Sequence, residues 1–268
     1  MIKPGEIQQK AREAGVRDQQ IEKDYALAWI LKGIAEHKYL SKILVFKGGT
    51  VLKKFYFEDY RFSEDLDFTL LDENVSNKEI FAWIKETFDY IKEEANIPLI
   101  LLDDNEHEDG RINFYIGYTG PLGGQASNKK VKVDIARSEK LEFAPVEKST
   151  FKSYSDLDSY KLLCYPLEEI LVEKMRSTMQ RMQARDFYDL WYLLEVQKMD
   201  VDFFVNEFSR KCESKGLKSS EFLNKLSERL PQYKGRWNSS LREQIQDLPE
   251  FDQAERETMR RLKNIKFL

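Results

Sequence analysis

Two carboxylates one residue apart, Asp65 and Asp67 in Arg61-Phe62-Ser63-Glu64-Asp65-Leu66-Asp67-Phe68, follow a glycine pair in Lys47-Gly48-Gly49-Thr50. On a strand successive side chains alternate faces, so Asp65 and Asp67 project together while Leu66 and Phe68 turn to the other side. Two acids on one spot repel unless a cation lies between them. Mg²⁺ suits that position, since it commonly binds through one or two carboxylates and substrate phosphates. Gly48 and Gly49 let the backbone approach a phosphate, and Thr50 stands where a helix begins, so free N–H groups and the helix dipole favour an anion. The chemistry implied is that of a nucleotide phosphate.

The third acid comes from Lys130-Val131-Lys132-Val133-Asp134-Ile135. Alternation puts Val131, Val133 and Ile135 inward and Lys132 with Asp134 on the opposite face. If this strand lies beside that of Asp65, the three carboxylates cluster, enough to hold one or two divalent ions and deprotonate an attacking hydroxyl. An aspartate at a sheet edge fits the same pattern.

Elements to carry these residues are legible in the periodicity. A helical stretch from Glu6 to Glu36 precedes a short strand at Ile43–Phe46, a helix at Val51–Phe57 and a strand at Asp65–Leu71. Helical spacing returns at Asn77–Ala95. Strands are expected at Leu99–Leu102, Ile112–Tyr118 and Lys130–Ile135, the last two joined by a turn-rich loop, Thr119 to Gly124. From Leu167 onward only helical patterns occur, with breaks expected near Gly216, Pro231, Gly235 and Pro249. The chain therefore divides into an α/β lobe over residues 1–150 and a helical lobe over 151–268, with the boundary between Glu139 and Leu167.

Within the second lobe, a continuous helix Glu168–Glu195 would align Lys174, Thr178, Arg181, Arg185 and Asp189 on one stripe, at roughly 100° per residue. Such a stripe could neutralise a triphosphate, with Lys174 as a compact charge and Arg185 as a bidentate fork. A solvated face of spaced charges gives the same pattern. Asp186 falls off the stripe, which favours Asp189 as the inward acid unless the helix breaks near Gln183.

Composition narrows the function classes. Lys and Arg total 43 against 47 Asp and Glu, a net charge of −4, so no global basic field drives bulk nucleic-acid binding. Any such contact must be local, at Lys53 and Lys54, Lys129 to Lys132, or Arg260-Arg261 to Lys266, with Tyr115, Tyr118 or Trp237 to stack bases. The absence of long apolar runs and of an apolar leader points to a cytoplasmic protein without membrane contact. Cys164 and Cys212 lack zinc-ribbon spacing, and His37 and His107 are solitary, which disfavours a zinc site or a Ser/His/Asp triad.

Taken in order, Glu22-Lys23-Asp24-Tyr25, Phe46 to Thr50, Arg61 to Phe68, Glu169 to Lys174 and Arg185 to Leu190 resemble the AbiEii/AbiGii toxin family, a branch of the DNA polymerase beta-like nucleotidyltransferases. The resemblance spans roughly Glu22 to Leu194. It implies a toxin of a type IV toxin–antitoxin or abortive-infection system linked to phage resistance, with a cognate antitoxin. It also implies a mixed β-sheet with flanking helices and Mg²⁺- or Mn²⁺-dependent transfer of a nucleotide from an NTP, in some relatives to the tRNA 3′ end. Residue by residue it assigns Asp65 and Asp67 to metal, Gly49, Thr50 and Ser63 to the phosphates, Lys174 to the triphosphate, and Asp186, Asp189 or both to the active site. Lys47, Gly48 and Arg61, which flank those motifs, are further candidates to bind the nucleotide, as is Arg185, and Asp134 matches the superfamily's third acid. A protein or small-molecule hydroxyl as acceptor, or a non-catalytic NTP-binding interaction protein, are the competing readings.

Overall fold

The computed structural model describes residues 1–107, 110–137, 139–263 and 265–266. The chain forms two compact units, one of Met1–Glu139 with Pro145–Tyr165, the other of Lys140–Ala144 with Pro166–Leu268. Residues 151–165 thus belong to the first unit, because the strand at Lys161–Cys164 is built into its sheet.

The first unit opens with α1 (Pro4–Ala14) and α2 (Asp18–Glu36), where one helical stretch is expected from the sequence. Gly15 causes the break: it adopts φ 62° and caps α1 through Ala11 and Arg12. A single turn, α3 (Leu40–Ile43), leads into β1 (Leu44–Lys47), and α4 (Gly48–Val51) runs on into a wide π-helical turn over Leu52–Tyr56. Next come β2 (Asp65–Leu70) and α5 (Asn77–Ala95), whose start is fixed by a reciprocal bond pair between Ser76 and Glu79. The remaining strands are β3 (Leu99–Glu106), β4 (Ile112–Tyr118), β5 (Lys130–Ala136), β6 (Val146–Ser149) and β7 (Lys161–Cys164).

These strands make one mixed seven-stranded sheet in the order β3-β4-β5-β2-β1-β7-β6. Neighbours β2 and β5 run parallel, as do β1 and β7, and the other pairs are antiparallel. Leu66, Phe68, Val131, Val133, Ile135, Phe114 and Ile116 are buried, which locks the register because a one-residue slip would expose all of them. Helices α2 and α5 cross closely at Gly33, where a Cβ would come 2.8 Å from Ile91 Cδ1.

The second unit holds α6 (Leu167–Gln180), α7 (Ala184–Trp191), α8 (Val205–Glu213), α9 (Phe222–Leu241) and α10 (Phe251–Leu262). The continuous helix Glu168–Glu195 does not form: Arg181 and Gln183 are extended. Tyr233 donates its hydroxyl to the carbonyls of Thr178 and Arg181 at 2.9 and 3.1 Å, taking up the acceptors at the break. Conversely, no break occurs at Pro231 or Gly235, which lie inside α9. There Phe222, Leu226, Tyr233, Trp237 and Leu241 form one buried stripe, whose burial outweighs the roughly 3 kcal/mol cost of an interior proline. Buried Glu169 clamps the returning segment 140–144, accepting from the N–H groups of Glu142 and Phe143 and pairing with Lys211 at 2.6 Å.

Candidate active site

The parallel ladder between β2 and β5 pairs Asp67 with Asp134 and Asp65 with Lys132. Paired residues project to the same face, so the three carboxylates of the first unit share one patch, opposite the buried Leu66 and Val133. All three are half-exposed. Lys132 Nζ lies 2.6 Å from Asp134 Oδ2. Partial burial lowers the proton affinity of this ammonium, but Asp134, then Asp65 and Asp67, outweigh it and raise its pKa above the usual lysine value. All three acids therefore act on one cation.

Antiparallel pairing of β1 with β2 sets Lys47 opposite Asp67 and brings Gly48 against it. Gly48 has φ 79°, and a Cβ there would overlap Asp67 Oδ2 and lie 3.2 Å from its Cγ. The glycine is required twice, for its backbone and for the space it leaves the acid. Thr50, on α4, donates its hydroxyl to the Asp65 carbonyl at 2.6 Å, tying the glycine turn to the acid strand. Its neighbour Gly49 is buried. Ser63 and Arg61 are buried just ahead of β2, with Arg61 donating to the Phe62 carbonyl and stacking on Tyr60. Lys47 is paired with Glu139, which also accepts from Thr69 at 3.2 Å. Sequence reasoning does not find Glu139, because it lies beyond β5 with no periodicity to place it.

In the second unit, Lys174 is 6% exposed and contacts both Asp186 (2.8 Å) and Asp189 (2.7 Å). The break after Gln180 re-aims α7, so that both acids face Lys174. Arg181 adds a forked pair to Asp186 at 2.6 and 3.1 Å. Burial alone would raise the Asp186 pKa, yet Lys174 and Arg181 hold it below the ordinary carboxylate value. The single stripe of Lys174, Thr178, Arg181, Arg185 and Asp189 is not realised. Thr178 and Asp189 are fully buried, and Arg185 is half-buried in the first turn of α7.

Several expected contact residues have structural work. Glu22 and Asp24 are buried: Glu22 accepts from the Leu122 N–H and Lys129 across the β4–β5 loop, and Asp24 holds Lys54 and the Tyr154 hydroxyl. Arg260 and Arg261 pair with Glu195. Tyr118 and Trp237 are buried, while Tyr115 is half-exposed beneath the Lys130 ammonium, 4.1 Å away.

Among the described residues no three His, Cys, Asp or Glu side chains are grouped so as to hold a metal ion by themselves. The residues do fit a cation completed by substrate phosphates: Asp67 and Asp134 are ladder partners with hard oxygen donors, and a charged nitrogen already sits among them.

A mixed sheet presents paired carboxylates beside a glycine turn, and the chain is a nucleotidyltransferase by family. The profile of the family described as nucleotidyl transferase AbiEii toxin, type IV toxin–antitoxin system, matches residues 29–257, and the chain belongs to that family. It is a nucleotidyltransferase toxin of a type IV toxin–antitoxin system. Among solved structures it is similar to JHP933 from Helicobacter pylori, with TM-score 0.58 and 17% identity over 92% of each chain. It is also similar to MenT4, a nucleotidyltransferase toxin from Mycobacterium tuberculosis, with TM-score 0.56 and 17% identity over 99% of this chain and 91% of that one. At that identity the likeness is one of fold. No curated protein matches the sequence. Among the described residues no helix is long and apolar enough to cross a membrane.

Proposed function

We propose that this toxin transfers an NMP unit from an NTP to an RNA acceptor, the tRNA 3′ end, in the cytoplasm, using Mg²⁺ or Mn²⁺ held by Asp65, Asp67 and Asp134. The observation that carries the reading is the ladder pairing of Asp67 with Asp134 beside Gly48. A bound divalent ion would supply charge neutralisation for the triphosphate and for the entering oxygen. Asp67 is the acid that Gly48 positions, and Asp65 is held through its own carbonyl by Thr50. Asp134 accepts the proton of the acceptor hydroxyl as its oxygen bonds to the α-phosphorus. The bond from α-phosphorus to the bridging oxygen breaks, and its electron pair leaves with pyrophosphate.

Following the resemblance, Gly49, Thr50 and Ser63 serve the phosphates. Lys47, Gly48 and Arg61 support that turn and strand from within the first unit. On the resemblance, Lys174 is proposed for the triphosphate and Asp186, Asp189 or both for the active site, and Arg185 is proposed to offset the triphosphate's charge from its place on the same helix as those two acids. The two carboxylate partners of Lys174 give it a structural role as well. Family membership also implies a cognate antitoxin.

The test incubates the purified chain with each labelled NTP, Mg²⁺ and either total tRNA or total cell protein. Label retained on tRNA is the expected outcome. Label on protein would move the acceptor to a protein hydroxyl, and NTP bound without label in either fraction would reduce the chain to an NTP-binding interaction protein.

A further inference from the structure

The acid patch of the first unit contains its own cation. On β5, Lys132 and Asp134 share the site face, and the ladder sets Lys132 directly beside Asp65 and Asp134 beside Asp67. Its Nζ bonds Asp134 Oδ2 at 2.6 Å. The opposite ladder partner of Lys132 is Tyr115 on β4, whose ring carries the Lys130 ammonium, so this side brings a second positive charge and no further acid.

From this geometry we infer that Lys132 is a displaceable internal counter-ion, holding Asp134 when no divalent cation is bound and withdrawing when one arrives. The inference rests on the metal reading of Asp65, Asp67 and Asp134 given above. An oxygen donating to Mg²⁺ at about 2.0–2.1 Å cannot keep a full ammonium bond on the same lone pair. A fixed ammonium beside a dication would also repel it. Release is easy here, because Lys132 and Asp134 are 37% and 34% exposed and a half-exposed ion pair is weak. The four-carbon stem of lysine lets the charge swing away without moving the strand. Lys174 differs on each count, being buried between two buried acids. Lys132 would thus act as a threshold, keeping the acids together without metal and raising the concentration needed to fill the site.

The test uses the full chain with a saturating non-hydrolysable NTP analogue and reads Mn²⁺ binding beyond that of the analogue alone by electron paramagnetic resonance of the free ion, together with thermal unfolding in chelator and in Mg²⁺. Lys132→Met should bind Mn²⁺ about ten-fold more tightly than the parent, the order of magnitude expected from removing one positive charge a few ångströms from a dication in a half-exposed site. It should melt earlier in chelator, where Asp134 loses the ammonium that meets its charge, and gain more from Mg²⁺ than the parent does. Lys132→Arg keeps the charge and should bind no more tightly than the parent, and Lys132→Gln should repeat Lys132→Met. Equal or weaker Mn²⁺ binding in both neutral variants, while Asp67→Asn abolishes it, would overturn the role of Lys132 and leave the metal site standing. No binding by the parent or by any variant would overturn both.

Discussion

The two units each group acidic side chains around a lysine, and they do so in opposite ways. In the second, Asp186 and Asp189 are 2% and 0% exposed and their charges are met by Lys174 and Arg181. In the first, Asp65, Asp67 and Asp134 lie half-exposed on a sheet face and share Lys132. A buried acid must be neutralised by the protein itself, because its desolvation is costly. A half-exposed acid keeps part of its charge facing solvent, where a ligand can reach it. The contrast separates acids whose charges the protein must meet in its interior from acids that solvent can reach.

The sharpest way to break this comparison is to neutralise one member of each group. Asp67→Asn should lower nucleotide transfer by a factor on the order of 10³, with a smaller loss of stability than Lys174→Met shows. Lys174→Met should act first on stability, removing about 3–5 kcal/mol because Asp189 and Asp186 stay buried without that partner. Urea unfolding of the two variants checks the contrast. A Lys174→Met protein as stable as the parent would mean that its acids are not structural, and an unstable Asp67→Asn protein would mean that the strand acids are.

Gly48→Ala should have an intermediate effect, and it tests how the strand acids are held. The left-handed backbone costs about 1–2 kcal/mol in any residue with a Cβ, and the added methyl must push Asp67 aside. Displacing a reacting group by about 1 Å typically costs on the order of 10² in rate. Transfer should therefore fall well below what the modest loss in thermal midpoint explains. A variant with full activity would show that Gly48 serves the turn alone.

What the sequence can show of these features follows from the range of each interaction. The alternation of Asp65-Leu66-Asp67-Phe68 and of Val131-Lys132-Val133-Asp134 is local, so both strands and their acidic faces could be read directly. Their adjacency could only be conditional, since it depends on a parallel ladder between segments far apart in the chain. Lys132 was visible on the acid face through its i, i+2 spacing from Asp134, yet its bond to that acid is a matter of rotamer. The crowding of Gly48 by Asp67 requires the β1–β2 pairing, which no window around Gly48 contains. The end of α6 was hidden for a similar reason. Arg181, Met182 and Gln183 are good helix formers, and the break coincides with a hydroxyl from Tyr233, more than fifty residues away. Strands β6 and β7 have only four residues each, too short for alternation to distinguish them from loop.

The smallest expected effect sharpens the comparison by adding an acid that is fully partnered but near the surface. Glu195 accepts from Lys198, Arg260 and Arg261 at 2.8, 2.9 and 2.7 Å. Hydrogen bonds from Lys198 and Arg261 lead in lowering its pKa to about 2, from an ordinary 4.5. A depressed carboxylate pKa contributes stability above the unfolded value of 4.5, and that contribution fades as pH falls toward 2. Solvent screening limits it to about 1 kcal/mol. Glu195→Gln should therefore be slightly less stable than the parent at pH 7, and the gap in urea midpoints should narrow steadily as pH falls below 4.5. Asp186, also depressed, should add to the acid loss of the parent below 3.8, in both proteins equally. If the gap instead widened on acidification, the stabilising form of Glu195 would be the protonated one, and partnering by Lys198, Arg260 and Arg261 would not describe this acid in solution.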